Sequence, residues 1–275
     1  MARRRSERMI ITKVSGLGGE RAARRAPDEL IVEEPMSIQL DGALVATTMR
    51  TPGHDYELAT GFCFTEGLLA GAPIVGVRYC ADGTSVGSEF NIVNVETGGR
   101  APEPVPRLGN VSSSCGWCGS EQLDDLWARL ASLPVTPPID FDVVASIPDR
   151  VLGKQGLFER TGSVHAAAAF RSDGEILAIR EDVGRHNALD KVIGSMLLDS
   201  HCSVPATGLG VFVSGRASIE MVQKAWASGF STLVAVSAPT SLAVGAARRA
   251  GLVLAGFVRG STLNIYAPEH LPAVQ

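Results

Sequence analysis

The chain has no apolar run approaching the roughly 18 to 20 residues that a membrane-spanning helix needs, so no membrane association is expected. It also lacks a surplus of positive charge: 25 Lys and Arg stand against 29 Asp and Glu, for a net charge of −4 and a pI near 5.8. Non-specific binding to nucleic acid needs a basic surface that neutralises phosphates, so that partner class is excluded and any anion site must be local. Cysteine is sparse and odd in number, five in 275 residues. The N-terminal stretch has no apolar segment with a small-residue cleavage site, and the cysteine usage fits a reducing cytoplasm rather than a disulfide scaffold. Cys63, Cys80 and Cys202 stand alone among apolar or turn residues and read as inert thiols. A second C-x-x-C is absent, as is an H-x-x-x-H, so a four-ligand zinc site within one chain is not expected and no metal ligand is assigned.

What is present is material for a core: 45% hydrophobic residues and a mean hydropathy of +0.15 suit one large domain or two moderate ones. Residues 1–27, with Arg3-Arg4-Arg5, Arg21 and Arg24-Arg25, read as a disordered basic tail, or less readily as an arm for an acidic partner. Residues 28–138 read as a smaller α+β domain, with short strands, one helix over 56–69 and a second over 121–133. Pro134, Pro137 and Pro138 then break the chain. From 139 to 275 helices and strands alternate, which predicts an α/β domain with a mostly parallel sheet, helices on both faces and one antiparallel hairpin at its start.

Four polar loops in this second part each follow an apolar run of strand length: Glu181 to Asn187, Ser214 to Ser218, Ser237 to Ser241 and Val258 to Thr262. The first three precede helical patterns, so all four are expected at the carboxyl edge of one sheet, where α/β folds bind ligands. Arg185, Arg216 and Arg259, with backbone N–H groups at helix starts, suit phosphates. Each loop also has a plain reading: Asp182 as a helix cap with Arg185 paired to Glu181 or Asp190, Ser214-Gly215 as a turn, Pro239-Thr240 as a helix start. His165, in an apolar strand, reads as a satisfied core histidine. Cys115-Gly116-Trp117-Cys118-Gly119 lies just before a predicted helix, whose positive end stabilises a thiolate. From spacing alone the pair could be a persulfide carrier, a redox dithiol, half of a zinc site shared between subunits, or a structural turn. Deaminase chemistry is not expected, because Ser114 stands where proline would precede Cys115 and neither His165 nor His186 has a glutamate two residues on.

Further residues recur in order: Thr51-Pro52-Gly53, Glu57-Leu58-Ala59 with Gly61-Phe62, Glu66-Gly67, the cysteine motif, Asp182-x-Gly184-Arg185-His186-Asn187-Ala188-x-Asp190-Lys191, Ser214-Gly215-Arg216 and Gly256-Phe257-x-Arg259. With these the chain resembles the FdhD/NarQ family of formate dehydrogenase accessory sulfurtransferases, over residues 28 to 268. The resemblance implies transfer of persulfide sulfur from a cysteine desulfurase to the bis-molybdopterin guanine dinucleotide cofactor of molybdenum or tungsten, activating formate dehydrogenase. It implies Cys115 as the sulfur carrier and Cys118 as its helper. It marks Phe257, Val258, Arg259, Gly260, Ser261 and Thr262 as a cofactor-binding segment; from the loop chemistry above, Arg185, His186, Asn187, Ser214, Gly215 and Arg216 are expected to join it, with Arg185, Arg216 and Arg259 gripping the cofactor's phosphates and guanines. It also implies a homodimer and a three-layer α/β/α, cytidine-deaminase-like C-terminal domain; set on that fold, this chain's own residues at 185–186 and 216–218 put anion-binding groups at the helix starts where a deaminase holds zinc. The competing function is a carrier that binds and inserts the cofactor without sulfur chemistry.

Overall fold

Residues 4–80, 91–104, 130–199 and 204–268 are described in a computed structural model of the chain. Cys115, Cys118 and Cys202 lie outside them, as does most of the helix expected over 121–133. The chain begins with an antiparallel hairpin, β1 (Ser6–Ser15) and β2 (Ala22–Ile31). This corrects the expected disordered tail. Its arginines hide a period-two strand pattern in which Met9, Ile11 and Lys13 share one face, with Ile10, Thr12 and Val14 on the other. β2 also runs through residue 27, where the tail was expected to end.

Next comes a four-stranded sheet of β3 (Glu34–Leu40), β4 (Ala43–Arg50), β5 (Gly76–Tyr79) and β6 (Ile92–Glu96), in the order β4-β3-β6-β5. Met36, Ile38 and Leu40 alternate inward from β3 and, with Val93 and Val95, pack beneath Leu58, Ala59 and Cys63 of helix α1 (Asp55–Thr65). Burial raises the Cys63 thiol to about 12, so it stays an inert core group as expected.

The second half contains α2 (Phe141–Leu152), α3 (Gly156–Thr161), β7 (His165–Phe170), β8 (Ile176–Asp182), α4 (Arg185–Leu198), β9 (Gly210–Val213), α5 (Ile219–Ala227), β10 (Thr232–Ala235), α6 (Ser241–Ala250), β11 (Val253–Arg259) and β12 (Thr262–Ala267). Its six strands run β12-β11-β10-β9-β7-β8. Strand periodicity divides the core in two. Ala167, Ala169, Val211, Val213, Leu233 and Leu254 face α4, α5 and α6, whereas Ala166, Ala168, Phe170, Phe212, Val234 and Ala255 face α2. The result is a three-layer α/β arrangement.

Two expectations need correction. The sheet is not mostly parallel: β9–β10 and β10–β11 are parallel, but β7–β8, β7–β9 and β11–β12 are antiparallel. A strand not assigned from the sequence is β12, which follows the two-residue turn at Gly260 and Ser261 and pairs antiparallel with β11. The first helical stretch of this half, from Phe141, is two helices rather than one, because the chain turns at Gly153 and Lys154.

The halves join where α1 crosses α4 at Gly61 and Gly194. A Cβ on Gly61 would run into the Asp190 carbonyl oxygen, and one on Gly194 into that of Glu57. Two backbones meet there with no side chain between them.

Candidate functional site

β8, β9, β10 and β11 all point the same way, so their carboxyl ends share one edge, and antiparallel β7 brings its first residue, His165, to that edge as well. The four predicted loops do meet there. The Ser214 N–H donates to the Ala166 carbonyl at 2.9 Å, the Thr240 N–H to the Ala217 carbonyl at 3.1 Å, and the Phe257 N–H to the Ser237 carbonyl at 3.3 Å. Ala217 and Pro239 form a parallel bridge.

Three helices begin at this edge, and their first turns differ. The Thr240 hydroxyl accepts from the Ala243 N–H at 3.2 Å and closes α6, matching the plain reading of Pro239-Thr240. α4 starts at Gly184 and α5 at Ser218, and neither has a side-chain cap. Among the described residues the Ser218 Oγ is buried without a hydrogen-bond partner, and so is the Arg185 Nε. A buried polar atom left unpaired costs about 1–3 kcal/mol, which an anionic ligand would recover. Two uncapped N-termini add partial positive charge at the same place.

Gly215 lies between the residues that flank this opening. A Cβ on it would stand 3.6 Å from both the Arg185 Cδ and the His165 Cε1. The His165 Nδ1 is 3.3 Å from the Ser214 Oγ, which accepts from the Ala166 N–H at 3.0 Å. Burial and the nearby Arg185 charge hold the His165 pKa below its ordinary value. This histidine is therefore half-buried and neutral at the edge, not in the core, and the apolar strand around it masked that position.

Phe257 adds a strained feature. It has φ +52° without being glycine and is 44% exposed, at a register shift between Gly256 and Arg259. Bulges re-aim side chains, and such strain persists where the surroundings impose it. Arg216, Arg259, Gly260, Ser261 and Thr262 are exposed along the same rim, with the Thr262 hydroxyl donating to the Arg259 carbonyl at 3.1 Å. Val258 is different: it is fully buried in the core with Ala255, so its side chain cannot line a ligand site.

Two other predicted site residues turn away from the edge. The Asn187 Nδ2 donates to the Met49 carbonyl at 2.8 Å and to the Asp182 Oδ1 at 3.0 Å, and its Oδ1 accepts from Thr48 at 3.4 Å. His186 is largely buried; desolvation, with the Lys224 and Arg185 charges, pushes its pKa down to about 4. Glu181 and Asp182 do not pair with Arg185. The Glu181 carboxylate accepts the Leu157 and Phe158 N–H groups at 3.0 and 2.8 Å and caps α3.

Asp182 is instead the centre of a closed network. Its carboxylate takes Lys191 Nζ at 2.6 Å, the Thr51 N–H at 3.1 Å and the Gly184 N–H at 2.8 Å, while Lys191 also donates to the Thr51 carbonyl at 2.8 Å. Both side chains are fully buried. From the other side, Arg50 clasps Asp55 through Nε at 3.1 Å and Nη2 at 2.8 Å. The Thr51-Pro52-Gly53 turn is thus pinned between two buried ion pairs. Next to it, Lys224 binds Asp190 at 2.9 Å, Thr65 at 2.9 Å and Glu66 at 3.2 Å.

Among the described residues no cluster of His, Cys, Asp and Glu could hold a metal, and no helix is long and apolar enough to cross a membrane. The sequence model of the FdhD/NarQ family matches residues 31–271. The sulfur carrier protein FdhD of Streptomyces avermitilis is 45% identical over 262 residues, covering 92% of each chain. That of Streptomyces coelicolor is 46% identical over 255 residues, covering 90% of this chain and 89% of its own. A crystal structure of a proposed formate dehydrogenase accessory protein from Desulfotalea psychrophila shares the fold, with a TM-score of 0.73 at 24% identity over 95% of this chain and 98% of that one. A family match over most of the chain, with the same motifs gathered at one seam and one sheet edge, makes this chain a member of the FdhD/NarQ family.

Proposed function

We propose that the protein is a sulfur carrier for formate dehydrogenase, moving persulfide sulfur to the bis-molybdopterin guanine dinucleotide cofactor bound at the open sheet edge. The cofactor is the substrate here. The observation that carries the reading is the pair of uncapped helix starts beside the unpartnered Arg185 Nε and Ser218 Oγ. Such a place favours phosphate oxygens. The exposed Phe257 offers a face for a guanine, and Arg216 and Arg259 line its rim. Relatives at 45% identity named sulfur carrier proteins support the chemistry. We read the three layers as a cytidine-deaminase-like domain whose metal positions have become anion positions.

The sulfur steps fall to Cys115 and Cys118. The Cys115 thiolate attacks the outer sulfur of a cysteine desulfurase persulfide, and the desulfurase thiolate leaves. The Cys118 thiolate then attacks the Cys115 Sγ, closing a disulfide and releasing hydrosulfide to the cofactor metal. The two electrons come from the cysteine pair, and a cellular dithiol reductant resets it.

Intact-mass measurement after incubation with a cysteine desulfurase and cysteine tests this. Wild type should gain one sulfur atom, reversibly with a reductant, and Cys115→Ala should gain none. Absence of uptake by the wild type, with nucleotide binding retained, would favour a carrier that inserts the cofactor without sulfur chemistry.

A further inference from the structure

His165 stands at the open edge with only one of its two ring nitrogens engaged. Its Nδ1 is 3.3 Å from the Ser214 Oγ, while among the described residues its Nε2 has no hydrogen-bond partner and is open to solvent. The Ser214 Oγ accepts the Ala166 N–H at 3.0 Å, which leaves its own hydroxyl proton to donate to Nδ1. These hydrogen bonds assign the one proton of the neutral ring to Nε2, the nitrogen that faces outward. A hydroxyl oxygen has a second lone pair, so Ser214 can accept from Nδ1 once the ring is charged. One residue thus holds His165 in a single orientation in both protonation states.

The groups around the ring come from three elements. Arg185 approaches from the start of α4: its Cδ and the His165 Cε1 both stand 3.6 Å from where a Gly215 Cβ would be. Asp182 lies opposite His165 in the β7–β8 ladder, but its carboxylate is spent on Lys191 at 2.6 Å and on the Thr51 and Gly184 N–H groups. From the end of β9 comes the uncharged Ser214. Burial first and the Arg185 charge second keep the unliganded ring neutral, and Asp182 opposes them less. An anion that satisfied the Arg185 Nε would offset that positive charge and set negative charge beside the ring.

We propose that His165 takes up one proton from solvent when a pyrophosphate binds at this edge, its Nε2–H donating to a phosphate oxygen beside Arg185. The proton link rests on the reading of the edge as the cofactor site and adds to it a contact of a different kind. Arg185 supplies a permanent charge, whereas His165 supplies one that exists only while the anion is in place. Because the bound ring holds its proton more tightly than the free ring, the anion binds best below the free-state pKa. Its grip weakens as pH rises through the bound-state value. Between the two, affinity falls by up to about tenfold per pH unit, as linkage to one proton requires.

Calorimetric titration of guanosine diphosphate mannose into the full chain between about pH 5 and pH 8, the range in which histidine changes charge, tests the link. The pyrophosphate of that probe is esterified at both ends, so it brings no titrating group of its own. Measured in buffers of different ionisation enthalpy, the wild type should take up as much as one proton per ligand and bind more weakly as pH rises. His165→Gln keeps a neutral donor. With folding checked by urea melts, it should bind without proton uptake, with a flat pH profile, and at low pH about tenfold more weakly than wild type. The NMR signal of the His165 Cε1–H reads the same event without a variant, and the ligand should move its titration to higher pH. Binding that needs Arg185 yet takes up no proton, a histidine titration that the ligand leaves in place, or wild-type pH dependence in His165→Gln would overturn the proton link alone. Absence of binding by the wild type, or binding that Arg185→Ala leaves intact, would overturn the link together with the reading of the edge.

Discussion

The seven residues from Glu181 to Asn187 serve two neighbouring places that differ in one respect, the fate of their polar atoms. At the seam, Asp182, Asn187, Lys191 and the Thr51 turn spend their donors and acceptors on one another, with Lys191 and Asp182 fully buried. At the edge, one helical step away, the Arg185 Nε and Ser218 Oγ are buried with nothing to bind. A closed network is what holds two sheets in register. An unclosed one costs stability unless a ligand closes it. Motif residues of both kinds look alike in sequence, and only their partners separate the ones that hold the fold from the ones that wait for an anion.

That contrast makes the largest expected effect a structural one. Asp182→Ala strands a buried Lys191 ammonium and leaves the Thr51 and Gly184 N–H groups without their acceptor, so unfolding free energy in urea should fall by about 3–5 kcal/mol. Gly61→Ala attacks the same seam sterically. The added methyl meets the Asp190 carbonyl, and α1 must lift off α4, for a loss of about 3 kcal/mol.

A smaller effect depends on pH. Burial would raise the Glu57 carboxyl, but the bidentate Arg180 at 2.5 and 2.7 Å, with His54 at 3.2 Å, overcomes it and lowers the pKa to about 2. A carboxylate with a depressed folded pKa stabilises above its unfolded value, and that contribution is lost as pH falls through the folded one. The protein should therefore lose about 2 kcal/mol between roughly pH 5 and pH 2 through this group. In Glu57→Gln that part of the pH dependence should vanish in denaturant melts. Wild-type slope in the variant would assign the acid sensitivity elsewhere.

The smallest stability change belongs to the edge. Arg185→Ala removes an Nε that has no partner, so stability should stay within about 0.5 kcal/mol of wild type or rise slightly.

Much of this arrangement was legible in the sequence because it follows periodicity. The α4 stripe of Leu189, Val192, Ile193 and Met196 is buried as its spacing predicts, and the strand-to-loop order places Ser214, Ser237 and Phe257 at one edge. What stayed hidden depends on long-range partners. Nothing local tells that Asn187 reaches Met49, or that Lys191 reaches Thr51 across 140 positions. Val258 sits inside a binding-type run, yet the period of β11 turns it into the core. His165 shows the reverse case, an apolar strand whose first residue happens to emerge at the edge. The arginine-rich start of the chain conceals a hairpin because charges on both faces blur its alternation.

The division between seam and edge is tested most directly by titrating guanosine diphosphate into wild type, Arg185→Ala and Asn187→Ala, with urea melts of all three. Arg185→Ala should bind at least about tenfold more weakly with stability unchanged, since a charge-assisted phosphate contact is worth roughly 1.5–3 kcal/mol. Asn187→Ala should lose stability and keep its affinity. Unchanged binding by Arg185→Ala, or nucleotide affinity lost in Asn187→Ala at full stability, would contradict the account.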